Sequence, residues 1–194
     1  MTAVILAGGK SRRMGRDKLR LSLGGETMLA RAVRRFGEAF DRVVVSVGEK
    51  GTDDVVSAEW VADVFPGCGP MAGLHAALRY CGEDVFLTAA DMPFADPAAA
   101  RLIAEKCGDA DACIMTDESG RPEPLFSFYR IAALPWAEKA LREGRRSMRE
   151  LFADLRIRTV GPDSLGGLWS DRLLVNVNDP AEYERICLEL DRDK

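Results

Sequence analysis

Ala3-Val4-Ile5-Leu6-Ala7-Gly8-Gly9-Lys10-Ser11-Arg12-Arg13-Met14-Gly15-Arg16-Asp17-Lys18 is the stretch that decides the fold. Its first four residues form a short apolar run, the pattern of a strand buried on both faces of a parallel sheet. The run passes directly into glycines and then into a cluster of cations that Arg20 extends. Gly8 and Gly9 lack a β-carbon, so backbone N–H groups there can approach a phosphate chain closely. Lys10, Arg12, Arg13, Arg16 and Lys18 carry the charge to neutralise one. In an open α/β sheet, ligands collect beyond the carboxyl ends of the strands, where this loop starts. The same residues also suit a plain glycine turn bearing a solvated basic loop. Two familiar phosphate loops are excluded, because neither G-x-x-x-x-G-K-[ST] nor G-x-G-x-x-G follows the strand.

Outward from this stretch the pattern repeats. Arg42-Val43-Val44-Val45-Ser46-Val47 and Asp84-Val85-Phe86-Leu87-Thr88 read as further buried strands. Between them Met28, Leu29, Ala32, Val33, Phe36 and Phe40 fall on one face of a helix that Thr27 can cap. Helices are predicted over 71–81 and 97–107, the latter opened by Asp96-Pro97. Strands over 112–116 and 124–130 follow, the second antiparallel, then helices over 131–143 and 147–153 and an edge strand over 156–160. The last helix has Asp179 as cap, Pro180 in its first turn and Glu182 completing a box-like start. Its apolar stripe is Tyr183, Ile186, Cys187 and Leu190. Strand–helix alternation predicts an α/β fold, a mostly parallel sheet with helices on both faces. No repeat or linker interrupts it, and the loop over 163–170 is too short to be one, so residues 1–194 read as a single domain.

Composition narrows the partners. The chain has 194 residues, 47% hydrophobic and 30% charged, with a formal net charge of −4. Such a chain has no global attraction for nucleic acid. Its positive charge is local, in the early loop and at Arg142, Arg145, Arg146 and Arg149, which suits small anionic ligands. The five cysteines are odd in number and none are spaced C-x-x-C, against both a disulfide framework and a zinc ribbon. Free buried thiols in a reducing cytoplasm are expected. The apolar start is too short for a signal peptide, and no run reaches the roughly 18 apolar residues of a membrane span. A cytoplasmic protein without a membrane partner is the expectation.

Three further motifs carry chemistry. Thr88-Ala89-Ala90-Asp91-Met92-Pro93 follows a buried strand, so Asp91 can hold Mg²⁺ against phosphate oxygens, or can cap a turn made by Pro93. Gly67-Cys68-Gly69-Pro70-Met71-Ala72-Gly73-Leu74 makes a tight entry to a helix. Its N-terminus offers N–H donors to an anion, or Gly73 allows close helix–sheet contact. In Asn176-Val177-Asn178-Asp179-Pro180, two asparagines at alternating positions would face one side of a strand end, or precede a helix that Asp179 caps. His75, the single histidine, is read as a surface or half-buried helical residue rather than a general base. Cys68 has no histidine partner that would make it a nucleophile.

Taken together, Leu6-Ala7-Gly8-Gly9 with Ser11-Arg12-Arg13-Met14-Gly15 and Asp17-Lys18 resembles the signature of the molybdenum cofactor guanylyltransferases. These belong to the wider nucleotidyltransferases with a Rossmann-like fold. Gly69-Pro70-Met71-Ala72-Gly73, Asp91-Met92-Pro93 and Asn176-Val177-Asn178 follow in that family's order, and the resemblance runs from residue 4 to about residue 183. It implies transfer of GMP from GTP to molybdopterin with Mg²⁺ and release of pyrophosphate, alongside other molybdenum-cofactor biosynthesis proteins. Position by position, it implies that Leu6, Ala7, Gly8 and Gly9 hold the nucleotide, with Lys18 on its phosphates and Arg13 orienting them. Asp63 would contact the nucleotide, Asp91 would bind Mg²⁺, and Asn176 and Asn178 would face the pterin. Ser46 stands near the nucleotide where relatives can carry asparagine, and Asp179 stands where threonine is frequent. A pterin phosphate is already anionic, so the transfer calls for alignment and charge cancellation rather than a general base. The alternatives within the class are cytidylyl transfer to the cofactor and sugar-phosphate nucleotidyl transfer. Outside it stands a non-catalytic nucleotide-binding adaptor, against which Lys18 and Asp91 argue.

Overall fold

The structure is a computed structural model that describes residues 1–8, 21–48 and 56–192. In chain order its strands are β1 (Thr2–Leu6), β2 (Ser22–Leu23), β3 (Glu26–Thr27), β4 (Arg42–Val47), β5 (Glu59–Ala62), β6 (Val85–Ala89), β7 (Ala112–Thr116), β8 (Pro122–Tyr129) and β9 (Ile157–Val160). The α-helices are α1 (Met28–Gly37), α2 (Pro70–Cys81), α3 (Pro97–Glu105), α4 (Leu134–Arg142), α5 (Met148–Phe152) and α6 (Pro180–Arg192). One seven-stranded sheet in the order β5-β4-β1-β6-β8-β7-β9 forms the centre. The pairs of β1 with β4 and β6, β4 with β5, and β7 with β9 are parallel, and β8 runs antiparallel to both neighbours. The expected α/β class is observed, and no helix of the described residues is long and apolar enough to cross a membrane.

Strand β1 lies at the middle of the parallel half, and Ala3, Val4 and Ile5 are fully buried. Val4 faces a cluster with Leu74, Leu78, Ala137 and Leu151, from α2, α4 and α5. Ala3 faces Phe36, Phe86, Ile103 and Phe126, with α1 and α3 on that side, while Ile5 packs with Leu29 of α1. This strict alternation across a sheet covered on both faces is why the strands read as near-continuous apolar runs.

Helix starts match their sequence signals. Thr27 Oγ1 accepts from the Ala30 N–H at 3.1 Å, and Asp96 Oδ1 accepts from Ala98 and Ala99 N–H at 2.7 and 3.2 Å. Ser147 and Glu150 form a reciprocal capping box at the head of α5. The helix predicted over 131–143 splits into a 3₁₀ turn, Ile131–Ala133, and α4, because Pro135 has no N–H and so sits in a first turn.

Two elements lie outside the sequence reading. Strand β5 is four residues long at the sheet's edge, too short for an alternation to stand out. The β2–β3 hairpin turns through Gly24 and Gly25, with φ of 64° and 97°, a pair only glycines adopt freely.

Candidate active site

The parallel strands end together, and single hydrogen bonds carry their alignment one residue further. Ala7 N–H donates to the Ser46 carbonyl at 2.8 Å, and Ala90 N–H to the Leu6 carbonyl at 3.0 Å. Asp63 N–H donates to the Val47 carbonyl at 3.1 Å. Leu6, Ala7, Gly8, Ser46, Asp63 and Asp91 are thus gathered at the carboxyl edge of the parallel strands, the usual ligand position in open α/β sheets. Gly8 is exposed there, and a β-carbon on it would lie 2.9 Å from the Gly48 backbone nitrogen. Glycine is required at Gly8 by that close approach. Gly9, Arg13 and Lys18 lie outside the described residues.

Helix α2 closes one side. A β-carbon on Gly73 would lie 2.6 Å from Leu6 Cδ2 and 3.0 Å from Ser46 Oγ, so the close helix–sheet contact is real. Ser46 is correspondingly buried, at 2% exposure. The first turn of α2 has no side-chain cap, and Pro70 opens it. Beside it, Asp63 Oδ1 is buried with no hydrogen-bond partner among the described residues. Burial pushes the Asp63 carboxyl up to about 6. An acceptor-only group kept dry at a crevice is a costly arrangement, the kind found at functional sites.

On the other side, Asp91 sits half-buried just past β6. Its carbonyl accepts from the Val177 N–H at 2.9 Å, which brings the 176–178 segment to the Asp91 turn. Residues 175–178 form no strand, contrary to the expectation of a strand end. The Val177 N–H is committed to Asp91, and the two amides turn to their own backbone. Asn176 Nδ2 donates to the Leu174 carbonyl at 3.1 Å and Asn178 Nδ2 to the Asn176 carbonyl at 3.4 Å. Asp179 is a helix cap, since its Oδ1 accepts from the Glu182 N–H at 2.9 Å.

Glu123 belongs to this edge too, and the sequence reading missed it. Strand β8 runs antiparallel beside β6, with Thr88 paired to Phe126, and its start carries Glu123 near enough to Asp91 for the two charges to interact. Burial pushes the Glu123 carboxyl up, the Leu125 N–H and Arg121 pull it down, and the Asp91 charge adds to the rise. The two carboxylates are far apart in the sequence, so no local pattern announces them. The donor set is oxygen from carboxylates and amides, which fits Mg²⁺. That ion takes one or two protein carboxylates and fills its octahedron with water and phosphate. Among the described residues, no group of three or more His, Cys, Asp or Glu could hold a metal ion.

Two expectations need correction. His75 is fully buried, not a surface or half-buried residue. It meets Phe65 edge-on at 5.1 Å and lies 3.7 Å from Glu138, because α2 is covered by α4. Its imidazole does not reach the crevice through any hydrogen bond, and both ring nitrogens lack one among the described residues. The five cysteines are free, but only Cys107 and Cys113 are buried, while Cys68, Cys81 and Cys187 are partly exposed.

Comparison with known proteins agrees with this geometry. Residues 3–159 match the family model described as the MobA-like NTP transferase domain. The chain is 32% identical over 190 residues to a protein of Carboxydothermus hydrogenoformans named "Probable molybdenum cofactor guanylyltransferase", covering 96% of this chain and 94% of that one. A protein of the same name from Opitutus terrae is 39% identical over 160 residues, covering 80% and 79% of the two chains. The crystal structure of molybdopterin-guanine dinucleotide biosynthesis protein A from Archaeoglobus fulgidus superposes with a TM-score of 0.86 at 25% identity, covering 99% of this chain and all of that one (100%). On the match over residues 3–159 and the identity along nearly its whole length, the chain belongs to the MobA-like nucleotidyltransferase family of molybdenum cofactor guanylyltransferases.

Proposed function

We propose that the protein transfers GMP from GTP to molybdopterin, with Mg²⁺ bound at Asp91. The observation that carries this reading is the Val177–Asp91 hydrogen bond. It joins the 176–178 segment to the backbone of Asp91, beside the root of the glycine loop. In the reaction, a phosphate oxygen of molybdopterin attacks the α-phosphorus of GTP. A new P–O bond forms as the α–β bridging bond breaks, and the electron pair leaves with pyrophosphate. Bound Mg²⁺ would supply charge cancellation on the triphosphate oxygens. The chain's own residues do the aligning. The Gly8 backbone, at the root of the loop, approaches the phosphates, and Arg13 and Lys18 steady the departing pyrophosphate. Asp63 accepts from N–H or O–H donors of the nucleoside, and Asn176 and Asn178 face the pterin. A nucleophile that is already anionic needs no general base, which is consistent with His75 lying buried away from the crevice.

The test is pyrophosphate release from GTP, CTP, ATP and UTP, each with molybdopterin and Mg²⁺. GTP should be used in clear preference. A CTP preference would move the chain to the cytidylyl reading, and no release with any nucleotide would favour an adaptor. Asp91→Ala should abolish release, and near-normal turnover of that variant would remove the metal assignment.

A further inference from the structure

We propose that Arg31 and Arg35 are positioning residues of the transfer site, holding the Asp91 turn in place through the carbonyl oxygen of Pro93. The proposal rests on the reading of Asp91 given above. Arg31 and Arg35 are one helical turn apart on α1, so their side chains leave the same face. Arg31 Nε and Arg35 Nη1 each donate to the Pro93 carbonyl, both at 3.2 Å. One peptide oxygen thus has both lone pairs taken by guanidinium groups, and hydrogen bonds to ionised donors are the stronger kind.

Neither arginine is a solvated surface charge. Their side chains are 21% and 24% exposed. Burial, and then the Arg31 charge, pull the Arg35 guanidinium below its usual value. Bringing two like charges onto one oxygen is unfavourable unless something offsets it. Glu26 lies 3.4 Å from Arg31, and Asp96, the cap of α3, lies 3.9 Å from Arg35. Glu26 also takes two hydrogen bonds from Arg34, at 2.7 and 3.2 Å, so the acids behind the pair offset its charge in part while its N–H groups point at the turn.

Among the described residues, hydrogen bonds from outside hold the turn at these points. At its entry Ala90 N–H is bound to Leu6, at Asp91 the carbonyl is bound to Val177, and at its exit the Pro93 carbonyl is bound to the two arginines. Pro93 has no N–H of its own, so the arginines supply the grip that a backbone ladder would supply elsewhere. Releasing that end loosens the exit of the turn, two residues beyond Asp91, while the buried Ala90 and Met92 keep its body on the core. Misplacing a reacting group by about 1 Å costs on the order of 100-fold in rate. The arginines touch no reacting atom in this scheme and act only through Asp91.

The test compares Arg31→Gln, Arg35→Gln and the double variant with Arg31→Lys and Arg35→Lys. Lysine keeps the charge and one reaching donor. The double Gln variant should lose about 10- to 100-fold in kcat. Its KM for GTP should stay nearly unchanged and its half-activating Mg²⁺ concentration should rise. A second readout needs no turnover: Mn²⁺ binding to the GTP-loaded protein, followed by electron paramagnetic resonance, should weaken, and the Val177 amide should exchange faster. The Lys variants should recover most of each effect. Unchanged kcat and Mn²⁺ affinity in a folded double variant would overturn the proposal, as would losses that track urea stability alone across all the variants. If the double Gln variant fails to fold, the single variants carry the same comparison. Asp91→Asn is measured alongside. If it keeps both turnover and Mn²⁺ binding, the metal reading itself fails; if it loses both while the arginine variants lose neither, only the positioning role fails.

Discussion

Replacing Asp63 by asparagine should make the protein more stable and a poorer nucleotide binder. The side chain keeps its shape but can no longer ionise, and asparagine resembles the protonated acid that burial favours. The carboxyl stands at about 6 instead of the usual 3.8, with burial as the cause. Asp63 is only partly buried, so solvent screening discounts that difference to on the order of 1–2 kcal/mol between the two protonation states. Between these two values the folded protein holds a proton that the unfolded chain has released, so the cost of Asp63 grows as pH rises and is complete above about 6. Asp63→Asn should therefore gain about 1–2 kcal/mol at pH 8 and roughly half of that at pH 5. In a chain of this size, that gain at pH 8 is roughly 2–8 °C in melting temperature. Urea unfolding at the two pH values measures it directly. Calorimetric titration with Mg·GTP should show affinity reduced about 10- to 100-fold, the usual worth of a hydrogen bond to a charged group. A variant no more stable than the parent at pH 8, or equally stabilised at both pH values, would refute the account of Asp63 as a dehydrated carboxylate.

Gly8→Ala would put a β-carbon 2.9 Å from the Gly48 nitrogen and push the ends of β1 and β4 apart. A loss of about 1–3 kcal/mol in urea unfolding, together with weaker GTP binding, is expected; parental values for both would show that the close approach is dispensable. His75→Leu tests the buried imidazole. Burial lowers its pKa from the usual 6.5 while Glu138 opposes this, so the folded state resists a proton that the unfolded chain accepts. Stability should fall as pH drops through the region of 6.5, and the leucine variant should lose that part of the slope; equal slopes between pH 7 and 5 in both proteins would contradict it.

Much of the architecture was readable locally. Strand β1 and the caps Thr27, Asp96 and Asp179 depend on residues within a few positions, and each sits where expected. The antiparallel β8 was also anticipated. Strand β5 was not, because four half-exposed edge residues leave no periodicity to detect. The site was legible as separate motifs: the glycine loop, Asp91 and the asparagine pair. Glu123 and the two arginines were not, since nothing near them in the chain hints at Asp91 or Pro93.

The division follows from the range of the forces. Apolar runs, helix periodicity and caps are settled by neighbours three or four residues away, so the linear order of amino acids suffices to read them. Which strand ends meet, and which side chains they bring together, depends on strand order and register across the whole chain. Val177 reaches Asp91 across 86 residues, and Glu123 comes near enough to feel the Asp91 charge because β8 runs beside β6. His75 is buried only because α4 packs over α2. Those placements come from the burial of two apolar faces of one sheet, a collective requirement that no short segment carries.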